Sequence, residues 1–116
     1  MRILIGALGL ALVAGCASMN EKRAAGTANL FNSAKSVDEV AECVLFAWQN
    51  QSLMGAHYGA SIQPLLGGGR TVISAGEVEF ADFKPLPAGT EIGVYFQSGL
   101  MDWRKSRRLE AVNGCL

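Results

Sequence analysis

The spacing of apolar and polar residues changes several times along this chain, and each rhythm predicts its own element. From Ile3 to Ala14 every residue is apolar or glycine. As a helix this stretch would be apolar on all sides, with no polar face to meet water. From Ala17 to Lys35 the pattern dissolves. Ser18, Asn20, Glu21, Lys22, Arg23, Asn29, Asn32 and Ser33 leave few apolar residues, and those show no sustained period. Such a segment buries too little surface to offset its ordering entropy, which predicts a flexible tether.

A helical rhythm starts at Ser36. Ser36-Val37-Asp38-Glu39 fits a capping box, with the serine as N-cap and Glu39 three residues on. Val37, Val40, Ala41, Val44 and Trp48 then repeat on one stripe, predicting a helix to about Gln51. Cys43 and Phe46 fall off that stripe, so a second element is expected to cover their flank.

The middle of the chain alternates with period two. His57 to Gln63 places Tyr58, Ala60 and Ile62 on one face of a strand, and Gly67-Gly68-Gly69 makes a turn. Thr71 to Ser74 begins a second strand. Gly76 either breaks or bulges it before the alternation resumes at Glu77-Val78-Glu79-Phe80. Pro85-Leu86-Pro87-Ala88-Gly89 reads as a turn. Thr90 to Gln97 gives the cleanest strand, with Ile92, Val94 and Phe96 inward and Glu91, Tyr95 and Gln97 outward. From Asp102 to about Gly114 a second helix is expected. Met101, Leu109, Val112 and Leu116 lie on its apolar side, and Arg104, Arg107 and Glu110 point away.

The N-terminal run is twelve residues long, whereas a helix spanning the hydrocarbon core needs about 20. Arg2, a short apolar core and the small residues Val13-Ala14-Gly15 match the three parts of a secretory signal peptide over residues 1–15. Leu12-Val13-Ala14-Gly15-Cys16 resembles the lipobox of bacterial lipoproteins. The resemblance implies cleavage between Gly15 and Cys16, a diacylglyceryl group on the Cys16 sulfur and acylation of the new amine. Two or three acyl chains hold a protein durably on a membrane. Ala17 stands where retention in the inner membrane usually uses aspartate, so the resemblance favours the outer membrane, facing the periplasm. Beyond this motif the chain is similar only to the many small lipoproteins of Gram-negative bacteria.

Cys43 and Cys115 remain once Cys16 carries lipid. In an oxidising periplasm two cysteines read as one disulfide. Free buried thiols are the alternative; a metal site has only His57 to join them, and zinc wants four ligands. Pairing Cys43 with Cys115 sets the second helix beside the first, over Phe46. The expected fold is α+β: an α-β-β-β-α domain over residues 36–116, with two helices on one face of a three-stranded antiparallel sheet. The other face is left open to solvent, and residues 16–35 form the lipidated tether.

Charge adds little. Removing fifteen residues from 116 leaves 101, and losing Arg2 leaves nine basic against ten acidic side chains. That balance gives no electrostatic case for nucleic acid. The chain has one histidine and no Gly-x-Ser-x-Gly elbow, so nucleophilic catalysis has only His57 as a base. Glu77, Glu79 and Asp82 read as a solvated strand face rather than an acid–base group. Gly67-Gly68-Gly69-Arg70 leads into a strand and not a helix, unlike a phosphate loop. Arg104-Lys105-Arg107-Arg108, with Trp103, is the one dense basic run.

No catalytic residue, metal or soluble cofactor is expected, and the only attached group is the lipid on Cys16. The sequence points to a non-enzymatic binding or accessory lipoprotein. Its partners are the membrane, through the anchor, and an envelope protein or an anionic envelope glycan. The expected contact surface is the open sheet face with Tyr95 and Gln97, or the second helix with Trp103, Arg104, Arg107 and Arg108. A small-ligand carrier is the alternative; an enzyme inhibitor or hydrolase has no motif behind it.

Overall fold

The computed structural model describes residues 19–26 and 28–116. The expected signal peptide, the lipobox and Cys16 lie outside these residues. The fold is α+β, built on a five-stranded antiparallel sheet. In chain order it comprises α1 (residues 19–25), β1 (Asn29–Ser33), α2 (Val37–Asn50), β2 (Ser52–Leu53), β3 (Ala56–His57) and β4 (Ala60–Leu65). These are followed by β5 (Gly69–Ser74), β6 (Glu79–Leu86), β7 (Gly89–Phe96) and α3 (Asp102–Asn113). The sheet order is β1-β7-β6-β5-β4, and β2 and β3 form a separate small hairpin.

Both long helices form over the residues expected, although Phe46, expected to be covered by the second helix, and Met101, expected on its apolar side, are exposed. The Ser36 hydroxyl accepts the Glu39 backbone N–H at 3.3 Å, closing the first turn of α2. Val40, Ala41, Val44 and Trp48 are fully buried against Val72, Ala81, Phe83, Ile92 and Val94 of the sheet. From α3, Val112 and Cys115 join this core. Cys43 and Cys115 form a disulfide with their Cα atoms 5.7 Å apart, fastening α3 beside α2.

The three-stranded sheet is corrected in three places. Gly76 breaks the second predicted strand rather than bulging it. Gly76 and Glu77 both take positive φ, +75° and +56°, so the chain reverses between β5 and β6. β6 then runs on to Leu86 through Pro85. Its last pair with β5 is Arg70 with Phe83, so the proline lies where β6 is bonded only to β7. Finally β1, inside the predicted tether, pairs antiparallel with β7 from Asn29–Val94 to Ser33–Thr90.

The flexible tether and the open sheet face are therefore corrected together. α1 packs on the side of the sheet opposite α2 and α3. There Met19, Phe80 and Tyr95 make a second buried cluster, with Ala28 and Ile73 against it. The folded unit begins well before Ser36. The segment looks polar because its charged residues find partners on the sheet, which a linear pattern does not reveal.

Candidate functional site

α3 carries the basic run, and half of it points inward. Arg104 and Arg108 lie one turn apart on the stripe that continues to Val112, and both are buried. Between them and the sheet sits Glu79, fully buried at the start of β6. Arg104 donates to Glu79 twice, Nη2 to Oε1 at 2.8 Å and Nε to Oε2 at 3.1 Å. Arg108 Nε reaches the same Oε1 at 2.7 Å. Arg108 Nη1 donates to the Trp48 carbonyl at 3.0 Å and to Gln51 Oε1 at 3.2 Å.

Two aromatic rings finish the enclosure. The Arg108 guanidinium lies over Trp48 at 5.1 Å and that of Arg104 over Tyr58 at 4.5 Å. Burial pulls the Arg108 pKa below the ordinary arginine value, against the opposing pull of Glu79. Its Nη2 is buried without a hydrogen-bond partner. The cluster clamps α3 and α2 onto the sheet. It corrects the expectation that Arg104 points to solvent, and it removes Arg104 and Arg108 from the surface. It also corrects the solvated carboxylate face. Glu79 is buried under α3, while Glu77 sits in the turn before β6 and shares no strand face with it.

On the opposite side of the sheet, Arg23 of α1 grips Asp82, which is almost wholly buried. Nε reaches Oδ2 at 2.7 Å and Nη2 reaches Oδ1 at 2.9 Å. The Thr71 hydroxyl donates to Asp82 Oδ1 at 2.7 Å, and Arg23 also lies over Phe80. The hydrogen bond to Asp82 raises the Arg23 pKa further. Phe80 stacks on Tyr95 with ring centroids 4.8 Å apart. Burial, helped by the nearby Asp82 charge, raises the Tyr95 phenol above its usual range near 10. Tyr95 is thus covered and offers no contact surface. Gln97, just past the end of β7, is exposed.

The remaining features gather at the two ends of the sheet. At the basal end β7 finishes at Phe96 and β6 starts at Glu79. A small cleft of about 90 Å³ there is lined by Met19, Lys22, Gly76, Glu77, Phe80, Phe96 and Gln97. Trp103 and Met101, at the start of α3, are exposed, 39% and 64% respectively. Arg107, also exposed, donates to the Ser52 carbonyl at 3.2 Å and so ties in the β2–β3 hairpin. At the tip of that hairpin Met54 is 82% exposed and holds φ +50° before Gly55 at +80°. Both central positions of a two-residue hairpin turn take positive φ here, a geometry that favours Asn-Gly.

At the distal end the β4–β5 and β6–β7 hairpins turn side by side. Beside them lies an open groove of about 580 Å³ lined by Ser36, Val37, Asp38, Gly68, Arg70, Pro85, Pro87 and Gly89. Arg70 faces Asp38 across it at 3.5 Å. Leu66 stands out at the tip of β4–β5, 97% exposed, and Leu86 is partly exposed on β6.

Of the surface expected from sequence, Trp103, Arg107 and Gln97 are exposed, and Tyr95, Arg104 and Arg108 are enclosed. Leu66, Leu86 and Met54 were not anticipated. Apolar residues on hairpin tips, where turns favour Gly, Asn and Asp, are the signal that could have drawn attention to them. Among the described residues no group of three or more metal-ligating side chains comes together. No protein-family model matches the chain, and no curated protein is similar to it.

Proposed function

We propose that this chain is a lipid-anchored envelope protein of the outer membrane that acts by binding another envelope protein, without catalysis. Its anchor is Cys16, and its contact surface is the distal groove between the two hairpin turns. The observation that carries this reading is Leu66, 97% exposed on a hairpin tip beside a groove with Arg70 and Asp38 on its wall. A large apolar side chain held fully in water, next to a concavity with a few charged groups, is the composition of a protein contact. The groove lies at the end of the sheet opposite Met19, the end turned away from the N-terminal anchor.

The non-enzymatic reading draws support from the fate of the acidic residues. Glu79 and Asp82 are both consumed by arginine ion pairs, which removes them as general acids or bases. A small-ligand carrier is the weaker reading. The more enclosed cleft, at the basal end, is about 90 Å³, below the roughly 300 Å³ of ordinary ligand sites, and the roomier distal groove of about 580 Å³ lies open to solvent and would leave much of a small ligand uncovered.

Cross-linking in intact cells, followed by capture of the full-length protein, tests the reading. A discrete partner recovered with the wild type and lost with Leu66→Asp is the expected result. Equal recovery from both would place the contact elsewhere and overturn the groove as its site. Repeated recovery of the lipoprotein alone would count against the binding role.

A further inference from the structure

The basal end, away from the distal groove, displays four large side chains. Met54, Tyr58, Met101 and Trp103 are all exposed there. They come from separate pieces of chain brought together by the fold. Gln49 Nε2 donates to the Ala60 carbonyl, and Ala60 pairs with Ser74 at the close of β5, which puts the end of α2 at this edge of the sheet. The β2–β3 hairpin follows α2 directly and is tied to α3 by Arg107 on the Ser52 carbonyl and by Arg104 over Tyr58. α3 starts here too, a few residues after β7 ends. The other exposed large apolar residues lie apart, Leu30 on β1, Phe46 on α2, Ile62 in the middle of β4, and Leu66 and Leu86 at the distal end.

The N-terminal segment enters at this same edge. Met19 is buried against Phe80, and Lys22 donates to the Phe96 carbonyl at 3.0 Å and to the Ser98 hydroxyl at 3.1 Å. Met19 stands three positions after Cys16, a reach of at most about 10 Å at roughly 3.5 Å per residue. A lipid on Cys16 would hold this end at the headgroup layer, with no long spacer between.

We infer that the basal end rests on the bilayer, with Trp103, Met101, Tyr58 and Met54 seated in the interfacial layer. This rests on the reading of Cys16 as lipid-modified. Tryptophan, tyrosine and methionine suit a layer that is wet on one side and apolar on the other. Charge does not drive the contact. Lys22 and Arg107 are hydrogen-bonded to carbonyls of the fold, those of Phe96 and Ser52, and Lys105 faces Asp102. A zwitterionic bilayer is therefore sufficient. The domain stands upright, with its distal groove directed into the periplasm.

The test uses the mature lipidated protein in phosphatidylcholine vesicles, with and without bromine on the acyl chains. Trp48 is buried in the core, so quenching by bromine reports on Trp103. Brominated lipid is expected to remove most of the Trp103 emission, seen as the difference between wild type and Trp103→Phe, and iodide added to the water is expected to have little access. Strong iodide quenching with no bromine effect would overturn the inference. The mass of the N-terminal peptide is measured on the same sample. A lipidated Cys16 with a water-exposed Trp103 sinks the upright placement and leaves the anchor standing. A Cys16 without lipid sinks both.

Discussion

Arg23 and Asp82 hold each other with two parallel hydrogen bonds, 2.7 and 2.9 Å long, across the face of the sheet that the sequence leaves bare. Through this pair α1 becomes part of the fold. Arg23→Ala is expected to release α1 and to cost about 1–3 kcal/mol, since a charged hydrogen bond is lost and Asp82 is left unpaired. Hydrogen exchange of residues 19–26 should rise to that of a free peptide. Protection unchanged from wild type would contradict the docking role.

The buried Arg104–Glu79–Arg108 group has a larger stake. Removing the shared anion strands two guanidinium groups under α3. Glu79→Gln is expected to destabilise the protein by about 3–5 kcal/mol, read from urea unfolding. A loss below 1 kcal/mol, the range of exposed ion pairs, would show that the cluster is solvated.

Cys43 and Cys115 are 72 residues apart in sequence. Closing a loop of that size is worth about 4 kcal/mol in the chain-entropy model. Cys43→Ser is expected to lower stability by that order, and reductant should add nothing further to the variant. An unchanged unfolding midpoint would contradict the assignment of this bridge as the fastening of α3.

Tyr95 predicts a pH dependence. Its folded pKa lies above the ordinary phenol value, mainly through burial. The native state therefore holds the phenolic proton more tightly than the unfolded chain does. The stability it contributes is fully present below about pH 10 and is lost as pH rises through the folded pKa. Tyr95→Phe should flatten this alkaline decline. In Tyr58→Phe, where Tyr95 alone reports, the phenolate absorbance should titrate above the ordinary value. A midpoint at or below it would contradict the packing of Tyr95 beneath α1.

What could be read from the sequence follows from what each signal depends on. The N-cap at Ser36, the α2 stripe from Val37 to Trp48 and the alternation of Ile92, Val94 and Phe96 are local patterns, and each matches the fold. Cys43 with Cys115 was also legible, because reading Cys16 as the lipid site leaves these two to pair. β1 was not, since Asn29-Leu30-Phe31-Asn32-Ser33 is short and polar and becomes a strand only by pairing with β7. Reading Arg104 as pointing away and Arg108 as part of a contact surface follows the preference of charge for water. Their stripe with Val112 pointed inward, but the Glu79 that permits it lies 25 residues away from Arg104. Tyr95 was assigned to an open face for the same reason: its cover, α1, is held by the distant pair of Arg23 and Asp82.

The protein is proposed to stand on the membrane by one end and to meet its partner with the other. A photoreactive residue placed at position 66 or at position 103, in living cells, distinguishes the two ends. The probe in place of Leu66 is expected to yield a discrete protein adduct, and the probe in place of Trp103 is expected to yield lipid. A protein adduct from position 103 with none from position 66 would contradict this arrangement.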